Sequence, residues 1–410
     1  MKIAILGYGK EGHSAESYFT RHGDEVQIFD KFDNDTLKNT DFSSFDMVLR
    51  SPSVHPDARF TSMTRYFFDY CPAPIIGVTG TKGKGTTCSM ITAILTALGK
   101  NVYLVGNIGK PVIDILDELK SDDIVVFEMS SFQLWDLTKS PQVAVVLRIE
   151  ADHLNVHDGF SDYVNAKGHI AEYQKPEDKL VYFKDNEWSR EIADKSAATT
   201  KLSYPEKKSE LFVKALDNLV VPGEHNREDA EAAIRAVAAY LSIDAETLIS
   251  ENFEAISKAL NEYRGLPHHI EFVKNVNGVD YYDDSFSASY PSLEVAVKAF
   301  SGRPVVLIAG GKDRGLDLAP AKRAIFDAPN LLKVMLMGET KEMLAEGEDE
   351  SKYILVNSLE EAVNNAKELA ETVANQRSVV LLSPGAASFD MFRDFYDRGD
   401  QFKALVEGLK

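Results

Sequence analysis

Two glycine-rich stretches of the sequence have the composition of phosphate-binding loops. The first, "GYGKEG" at residues 7–12, follows the apolar run "KIAIL" and opens an amphipathic segment. The second, "GVTGTKGKGTT" at residues 77–87, also joins an apolar strand-like run to a helix-like segment. Because backbone amides at the start of a helix attract phosphate, each stretch predicts a nucleotide site.

The second stretch is the stronger signal. It fits the pattern G-x-x-x-x-G-K-[ST] only loosely, because two residues separate Gly80 from Gly83 and Gly85 follows Lys84. The loop amides can still hold phosphates while the Lys84 ammonium neutralises them. We therefore predict an ATP site. Its residues are Gly80, Thr81, Lys82, Gly83, Lys84, Gly85, Thr86 and Thr87.

The first stretch is weaker when taken alone. Gly7 and Gly9 suit a tight turn, Gly12 suits close helix packing, and Asp30 ends the next apolar run. The segment before the ATP loop is only about half as long as a dinucleotide-binding domain needs. This length disfavours a hydride-transfer enzyme, which would bind a dinucleotide there. We expect one nucleoside diphosphate here, with a turn that binds nothing as the alternative.

Composition excludes several classes of protein. The chain has 410 residues, 44% hydrophobic and 27% charged, with a net charge of −19. These values predict two or three folded domains, no membrane span and no nucleic-acid partner. Cys71 and Cys88 are too few for a disulfide framework and fit the reducing cytoplasm. We also expect a monomer.

The elements that must position these loops alternate between apolar runs and amphipathic segments. This pattern is typical of parallel sheets with crossover helices and predicts the α/β class. The breaks "CPAP" and "YRGLPHH" divide the chain. We predict a small Rossmann-like domain over residues 1–72, a central P-loop ATPase-like domain with a parallel sheet over 73–265, and a third domain over 266–410.

Further stretches, in this order, resemble the Mur ligase family of ATP-dependent amide-bond ligases. The predicted ATP loop, with only two residues between Gly80 and Gly83, resembles that family as well. The further stretches are "GNIG" (106–109), "FEMSSFQL" (127–134), "ADHLNVH" (151–157), "YVNAK" (163–167), "EHNRED" (224–229), "GLPHHIE" (265–271), "DDS" (283–285) and "LSPGAASFDMFRDFYDRGDQF" (382–402). The last is the most specific and resembles the glutamate-adding branch.

The resemblance implies a reason for two loops. The N-terminal domain would hold the UDP of UDP-N-acetylmuramoyl-L-alanine, the central domain ATP, and a Rossmann-like C-terminal domain the amino acid. ATP would convert the substrate carboxylate into an acyl phosphate, which the amine of glutamate attacks. The product would serve peptidoglycan precursor synthesis.

The resemblance also implies a magnesium-dependent catalytic centre. Glu128 ends the run "DIVVFE", where open α/β sheets place ligands, and suits magnesium independently of the family. His153 would bind a second magnesium, and Lys167 would carry CO₂ as N6-carboxylysine. Lys84, His153 and Lys167 are the predicted catalytic residues, and Thr86, Glu128, His153 and Lys167 the predicted metal ligands. His157 is expected to be a helix-terminal or surface residue.

Other roles implied by the resemblance concern substrate contacts. Asn226 and Asp284 match further ATP-binding positions. The predicted UDP-substrate residues are Gly7, Tyr8, Gly9, Asp30, Ser51, Asn107 and Ser130, with Ser131 lining the same cleft. The predicted amino-acid residues are Arg314, Ser388, Phe389 and Phe395.

Three positions depart from the family pattern. Phe286 stands where a lysine would contact the amino acid, His269 replaces an arginine, and Asp229 lies at an adenine-contacting position. Lys312 and Arg314 could supply positive charge instead. A variant branch that adds L-glutamate also lacks the lysine, so D-glutamate is favoured and L-glutamate stays open.

Three other classes compete with this interpretation. A folylpolyglutamate synthase shares the ATP loop but begins near it, without a leading Rossmann-like domain. An NAD-dependent oxidoreductase would use "GYGKEG" and leave the ATP loop unexplained. A non-catalytic nucleotide-binding module would not need Glu128, His153 and Lys167 together.

Overall fold

The computed structural model describes residues 1–31, 34–154 and 156–410, with residues 34, 35 and 38 described by their backbone only. Asn155 of the "ADHLNVH" motif therefore lies outside the described residues. The chain forms two compact units, Met1–Asn218 with Arg227–Leu260, and Leu219–Asn226 with Asn261–Lys410.

The first unit begins with a four-stranded parallel sheet in the order β2-β1-β3-β4. Its elements are β1 (Lys2–Leu6), α1 (Lys10–Arg21), β2 (Glu25–Phe29), α2 (Asn34–Asn39), β3 (Met47–Arg50), β4 (Thr61–Ser62) and α3 (Met63–Tyr70). Strand β1 alternates between two apolar clusters, with Ile3 and Ile5 on one face and Ala4 and Leu6 on the other. Burial on both faces explains its continuous apolar sequence.

A six-stranded parallel sheet follows, in the order β10-β9-β8-β5-β7-β6. Its elements are β5 (Ile75–Thr79), α4 (Lys84–Ala97), β6 (Val102–Gly106), the 3-10 helix Val112–Ile115, β7 (Ile124–Glu128), α5 (Ser131–Leu134), β8 (Val143–Val146), α6 (Phe160–Glu172), β9 (Lys179–Phe183), α7 (Glu187–Lys195), β10 (Thr200–Tyr204), α8 (Glu210–Leu216), α9 (Glu224–Leu241) and α10 (Ala245–Glu262). Both β5 and β7 are buried along their whole length.

The two sheets of the first unit share one hydrophobic core. Ile3 of the first sheet and Val125 of the second belong to the same cluster. The rings of Phe67 and Phe127 meet edge to face, with centroids 5.9 Å apart. The predicted boundary at residue 72 therefore falls within one compact unit, and the three domain ranges stay predictions.

The second unit contains another six-stranded sheet, in the order β11-β12-β16-β13-β14-β15. Its elements are β11 (Glu271–Val276), β12 (Val279–Asp283), α11 (Tyr290–Lys298), β13 (Val305–Ala309), α12 (Ala319–Phe326), β14 (Leu331–Leu336), α13 (Lys341–Ala345), the 3-10 helix Glu350–Lys352, β15 (Tyr353–Leu355), α14 (Leu359–Glu371), the 3-10 helix Ala374–Gln376, β16 (Val379–Leu382) and α15 (Phe395–Glu407). Only β11 runs antiparallel to its neighbour.

The α/β class is confirmed, since three mainly parallel sheets alternate with helices. Among the described residues, no helix combines the length and apolar character that a membrane crossing requires.

Candidate functional site

The predicted ATP loop connects the buried strand β5 to helix α4 of the first unit. Gly83 caps the helix with a left-handed φ of 82°, which glycine adopts without strain. A β-carbon at Gly83 would also collide with the carboxylate of Asp229. Burial raises the pKa of Asp229 well above its usual range. The loop is therefore shaped by glycine, as the sequence predicted, and is closed on one side by Asp229.

The predicted loop residues have different environments. Lys82 is exposed, whereas Gly85 and Thr87 lie buried in the first turn of α4, where Thr86 is half-buried. Lys84 bends back and donates a hydrogen bond to the carbonyl oxygen of Thr81 over 3.0 Å. Burial lowers the pKa of the Lys84 ammonium, although the Glu128 carboxylate favours its charged form. Lys84 is therefore a cation of this loop whose charge acts on Glu128.

Glu128 ends strand β7 at the carboxyl edge of the sheet and is only 6% exposed. Burial raises its pKa, while the charges of Lys84 and Lys167 oppose that change. Among the described residues, no hydrogen-bond partner reaches its buried Oε2 atom. A buried carboxylate oxygen without a partner is costly, and a bound cation would satisfy it. Glu128 therefore fits a magnesium ligand.

Lys167 lies on α6 and is 1% exposed. Its Nζ atom donates to the carbonyl oxygen of Gly80 over 2.8 Å and lies 4.6 Å from the centroid of the Tyr163 ring. Burial, aided by the nearby charge of Lys84, lowers the pKa of the Lys167 amine well below its usual range. The structure thus brings Lys167 to the ATP loop, in a site that favours the neutral and nucleophilic amine.

Tyr163 is a site residue to which the sequence assigned no role. Its hydroxyl lies 3.1 Å from Thr81 Oγ1, and that atom also donates to the carbonyl oxygen of Glu150 over 3.0 Å. The ring covers the Lys167 amine. The available signal was the i, i+4 spacing of Tyr163 and Lys167, which places both on one face of a helix.

The two histidines of "ADHLNVH" have opposite environments. His153 is exposed, with a left-handed φ of 54°, and its backbone amide donates to Asp152 Oδ1 over 2.9 Å. His157, expected at a helix terminus or on the surface, lies in the loop three residues before the first residue of α6, and the surface alternative is wrong. Its side chain is 0% exposed and hydrogen-bonds to Ser131 and Asp162. Local spacing could not reveal this burial, because Ser131 belongs to a distant segment.

The first glycine-rich loop brings several predicted UDP-substrate residues together. Asp30 Oδ1 accepts a hydrogen bond from the Tyr8 amide over 3.1 Å. Gly7 has a left-handed φ of 84°, and a β-carbon there would collide with the Ser51 hydroxyl. Gly9 is the N-terminal cap of α1. These residues surround the N-terminus of a 12-residue helix, the arrangement that suits a diphosphate.

Asn107 and Ser130 lie in the part of the first unit built on the central sheet. Asn107 is exposed directly after β6. Ser130 caps α5 through a reciprocal pair of hydrogen bonds with Gln133. Gln133 in turn donates to Glu11 of α1 over 2.9 Å. The two predicted binding regions, around α1 and around Ser130, are therefore directly connected.

A buried arginine strengthens this connection. Arg50 is 0% exposed and donates to both carboxylate oxygens of Asp136, over 3.0 and 2.5 Å. It also donates to the carbonyl oxygens of Val54 and Phe132, over 2.9 and 3.3 Å. Sequence reasoning missed Arg50, since its partner lies 86 residues away.

The second unit holds the other predicted nucleotide residues. Asp284 is 7% exposed and accepts hydrogen bonds from the amide of Ile270 and the hydroxyl of Ser383, over 3.3 and 2.7 Å. Burial raises the pKa of Asp284 to about 7. Asn226 is buried in the first turn of α9 and donates to the carbonyl oxygen of Pro222 over 2.6 Å.

The predicted amino-acid residues of the second unit have varied exposure. Ser388 is buried, Phe389 is 70% exposed, and Arg314 is exposed. Phe395 begins helix α15 and is half-buried. Arg398, which the sequence left without a role, is fully buried. It makes three hydrogen bonds, to Ser285 Oγ and to the carbonyl oxygens of Ser285 and Ala386.

Two departures from the family pattern contact one another. The rings of Phe286 and His269 lie 4.0 Å apart and are tilted by 31°. Burial lowers the pKa of His269, so its neutral form is favoured. Lys312, one candidate for the missing charge, pairs with Glu339 over 2.7 Å. Two rings, one of them an imidazole whose neutral form is favoured, thus stand at sequence positions where the family pattern has two cations.

Comparisons with known proteins agree with this geometry. Residues 78–236 match the Mur ligase middle domain. The UDP-N-acetylmuramoylalanine–D-glutamate ligase of Clostridium tetani is 32% identical, with 100% of this chain and 97% of that protein covered. The enzyme of the same name from Acetivibrio thermocellus is 33% identical at the same coverage.

The fold agrees as well. The structure of UDP-N-acetylmuramate-alanine ligase MurC from Thermotoga maritima is 18% identical, covers 99% of both chains and superimposes with a TM-score of 0.59. The relatives at over 30% identity span the chain from end to end, including its first glycine-rich loop and the buried cluster at the second. On this evidence, the chain belongs to the Mur ligase family.

Proposed function

We propose that the chain is an ATP- and magnesium-dependent ligase that joins glutamate, with D-glutamate preferred, to the carboxylate of UDP-N-acetylmuramoyl-L-alanine. The observation that carries this proposal is the convergence of Lys84, Glu128 and Lys167 at the ATP loop. The names of the full-length relatives support it. The reaction would supply a peptidoglycan precursor in the cytoplasm.

We assign the UDP group to the first glycine-rich loop. The amides at the start of α1 would bind the diphosphate, and Ser51 and Asp30 would contact the rest of the nucleotide. Asn107 and Ser130 would contact the sugar and the peptide end. The Glu11–Gln133 hydrogen bond supports a binding site built from both parts of the first unit.

We assign the phosphates of ATP to residues 80–87 of the first unit. Asn226 and Asp284 of the second unit match further ATP-binding positions of the family. As the γ-phosphoryl group moves to the substrate carboxylate, negative charge gathers on its oxygens. Lys84 would stabilise that charge from a partly buried position, where a fixed cation acts more strongly than in water. The transfer makes a P–O bond to the carboxylate and breaks the bond to ADP.

Magnesium, when bound, would neutralise phosphate charge and orient the transferred group. Glu128 fits the role of ligand because its buried Oε2 has no partner within the described part of the chain. Thr86 and His153 would add ligands. The imidazole of His153 is exposed, and its Nε2 atom lies 3.9 Å from Asp152 Oδ2.

We also propose that Lys167 carries CO₂ as a carbamate. Its buried amine has a lowered pKa, which favours the neutral form that attacks CO₂. Forming the N–C bond converts the neutral amine into a carbamate anion and releases one proton. That anion would offer negative charge to the second magnesium, a function that an ammonium group does not provide.

The glutamate amine would then attack the acyl phosphate carbonyl and release phosphate with its bridging oxygen. We assign the glutamate to the second unit, where Ser388, Phe389, Phe395 and Arg314 are the proposed contacts. The ring pair of Phe286 and His269 keeps the L-glutamate-adding variant as a second candidate, because the family's lysine is missing.

An assay of ADP release by the purified protein tests the proposal. We expect release only when UDP-N-acetylmuramoyl-L-alanine, glutamate, ATP and magnesium are all present, and faster release with D-glutamate than with L-glutamate. Release that needs a folate substrate instead would identify a folylpolyglutamate synthase and refute the proposal. Exclusive use of L-glutamate would change the proposed stereochemistry of the added amino acid but leave the assignment as a ligase intact.

A further inference from the structure

His157 is a buried histidine that the proposed mechanism does not use. Its Nδ1 atom lies 2.8 Å from Asp162 Oδ2, and its Nε2 atom lies 2.9 Å from Ser131 Oγ. The side chain is 0% exposed. A fully buried imidazole with a partner on each nitrogen has a fixed orientation.

The two partners determine which atom carries the proton. A carboxylate only accepts, so Nδ1–H donates to Asp162. In the neutral ring, Nε2 is then an acceptor, and the Ser131 hydroxyl donates to it. Asp162 lies in the first turn of α6, directly after the loop that carries His153, and Ser131 lies at the start of α5.

The same ring connects with His153 through an aromatic side chain. His157 stacks on Phe132, with centroids 5.2 Å apart and planes inclined by 14°. The ring of His153 also contacts Phe132, nearly edge to face, with the ring centroids 5.1 Å apart. Phe132 neighbours Ser131, so one short segment contacts both histidines of the motif.

We propose that His157 is a positioning residue that sets the orientation of His153. By holding Ser131, it fixes Phe132, and Phe132 limits where the exposed His153 ring can point. The assignment of His153 as a metal ligand rests on the proposed function, whereas the Ser131–His157–Asp162 chain stands on the geometry. Loss of the hydrogen bond between His157 and Ser131 should therefore weaken metal binding, while the fold is retained.

Two substitutions separate the two hydrogen bonds. The amide of His157→Asn reaches only the position of Nδ1, so it retains the Asp162 contact and loses Ser131. The longer His157→Gln places its amide near Nε2 and retains the Ser131 contact. Ser131→Ala removes the same bond from the opposite side and serves if His157→Asn folds poorly.

His169→Asn is a matched control. His169 also lies near α5, with Nδ1 2.8 Å from the carbonyl oxygen of Leu134, and it packs on Tyr173 rather than on Phe132. It is partly exposed on α6. A general loosening of this region would appear in His169→Asn as well.

Mn²⁺ titration followed by electron paramagnetic resonance, with a non-hydrolysable ATP analogue present, measures the effect without turnover. We expect the Mn²⁺ Kd to rise about tenfold in His157→Asn and in Ser131→Ala. The double variant that combines His157→Asn with Ser131→Ala should bind Mn²⁺ no more weakly than either single variant. The Mn²⁺ Kd of His157→Gln and of His169→Asn should stay near the parent value. Thermal unfolding reports whether each variant is folded.

The inference fails if His157→Asn or Ser131→Ala binds Mn²⁺ as the parent does while folded, or if the two losses add. It also fails if the parent does not bind Mn²⁺. Turnover with UDP-N-acetylmuramoyl-L-alanine is measured separately, so an inactive parent that binds Mn²⁺ would refute the proposed ligase and not the role of His157.

Discussion

Removing the Lys84 side chain is the perturbation that bears most directly on the phosphoryl step. Lys84 is the cation of the ATP loop that acts on Glu128, and its charge opposes the rise that burial causes in the pKa of Glu128. Lys84→Ala should therefore have two consequences. It removes a fixed charge from the transferred phosphate, and it makes the Glu128 carboxylate harder to ionise.

The first consequence sets the magnitude. One preorganised donor aimed at developing negative charge contributes about 3–4 kcal/mol to the transition state, which corresponds to about 10²–10³-fold in kcat. Lys84 already folds over the loop and donates to Thr81 over 3.0 Å, so little rearrangement is needed. We expect Lys84→Ala to lose at least about a hundredfold in kcat.

The second consequence is a change in pH dependence. Under the proposed assignment of Glu128 as a metal ligand, metal binding needs its carboxylate, so activity should fall as the pH drops through the pKa of Glu128. Burial raises that pKa and the charge of Lys84 lowers it, so the fall in activity on the acid side of the pH profile (the acid limb) should move to higher pH in Lys84→Ala. In the parent, activity should also fall on the alkaline side as the Lys84 ammonium, whose pKa burial lowers, loses its proton. That alkaline fall should disappear in Lys84→Ala.

A coupled assay of ADP release, run across pH at saturating substrates, measures both effects. Lys100→Ala is the control, because Lys100 is exposed beyond the other end of α4. The reasoning is refuted if Lys84→Ala keeps more than about a tenth of the parental kcat, or if its acid limb coincides with that of the parent.

Three other substitutions test separate parts of the account. Lys167→Ala should be nearly inactive in the ADP assay, and formate or acetate should restore part of the activity by replacing the carbamate anion; failure of both anions would count against carbamylation. Phe286→Lys should lower the KM for glutamate about tenfold by adding a charge-assisted contact, and an unchanged KM would exclude that position from the pocket. Arg398→Met should destabilise the protein by about 3 kcal/mol, because three hydrogen bonds in the interior are lost; an unchanged Tm would contradict this.

The elements that the sequence predicts well are those determined by local pattern. Continuous apolar runs such as "IVVFE" and "VVLL" form the buried strands β7 and β16. Glycine spacing located both loops because each needs a left-handed or crowded backbone, at Gly7 and at Gly83. Such features depend on a few neighbouring residues.

Other elements had weaker patterns. Strands β9 and β10 lie at one side of the central sheet and mix polar with apolar residues. The hairpin of β11 and β12 did leave a signal, since Asn277 and Gly278 both adopt left-handed φ in its two-residue turn. An antiparallel pair in a mainly parallel sheet nevertheless breaks the alternation that predicted the rest.

The site was predictable only as a set of residue types. Lys84, Glu128 and Lys167 are far apart in sequence, and only the family resemblance grouped them. Arg50 could not be identified, because its role depends on a partner brought close by the fold. For Tyr163 the spacing to Lys167 was the available signal, but its contact with Thr81 depends on the fold. The burial of His157 has the same origin, since Ser131 lies 26 residues away.

The most direct test of the central claim follows an oxygen atom. UDP-N-acetylmuramoyl-L-alanine labelled with ¹⁸O in its terminal carboxylate is incubated with ATP, magnesium, D-glutamate and the chain, and the released phosphate is analysed by mass spectrometry. An acyl phosphate requires the bridging oxygen to leave with phosphate, so we predict one ¹⁸O atom in each phosphate released with product. Phosphate free of ¹⁸O, at the same yield of amide product, would contradict activation of the carboxylate by this chain.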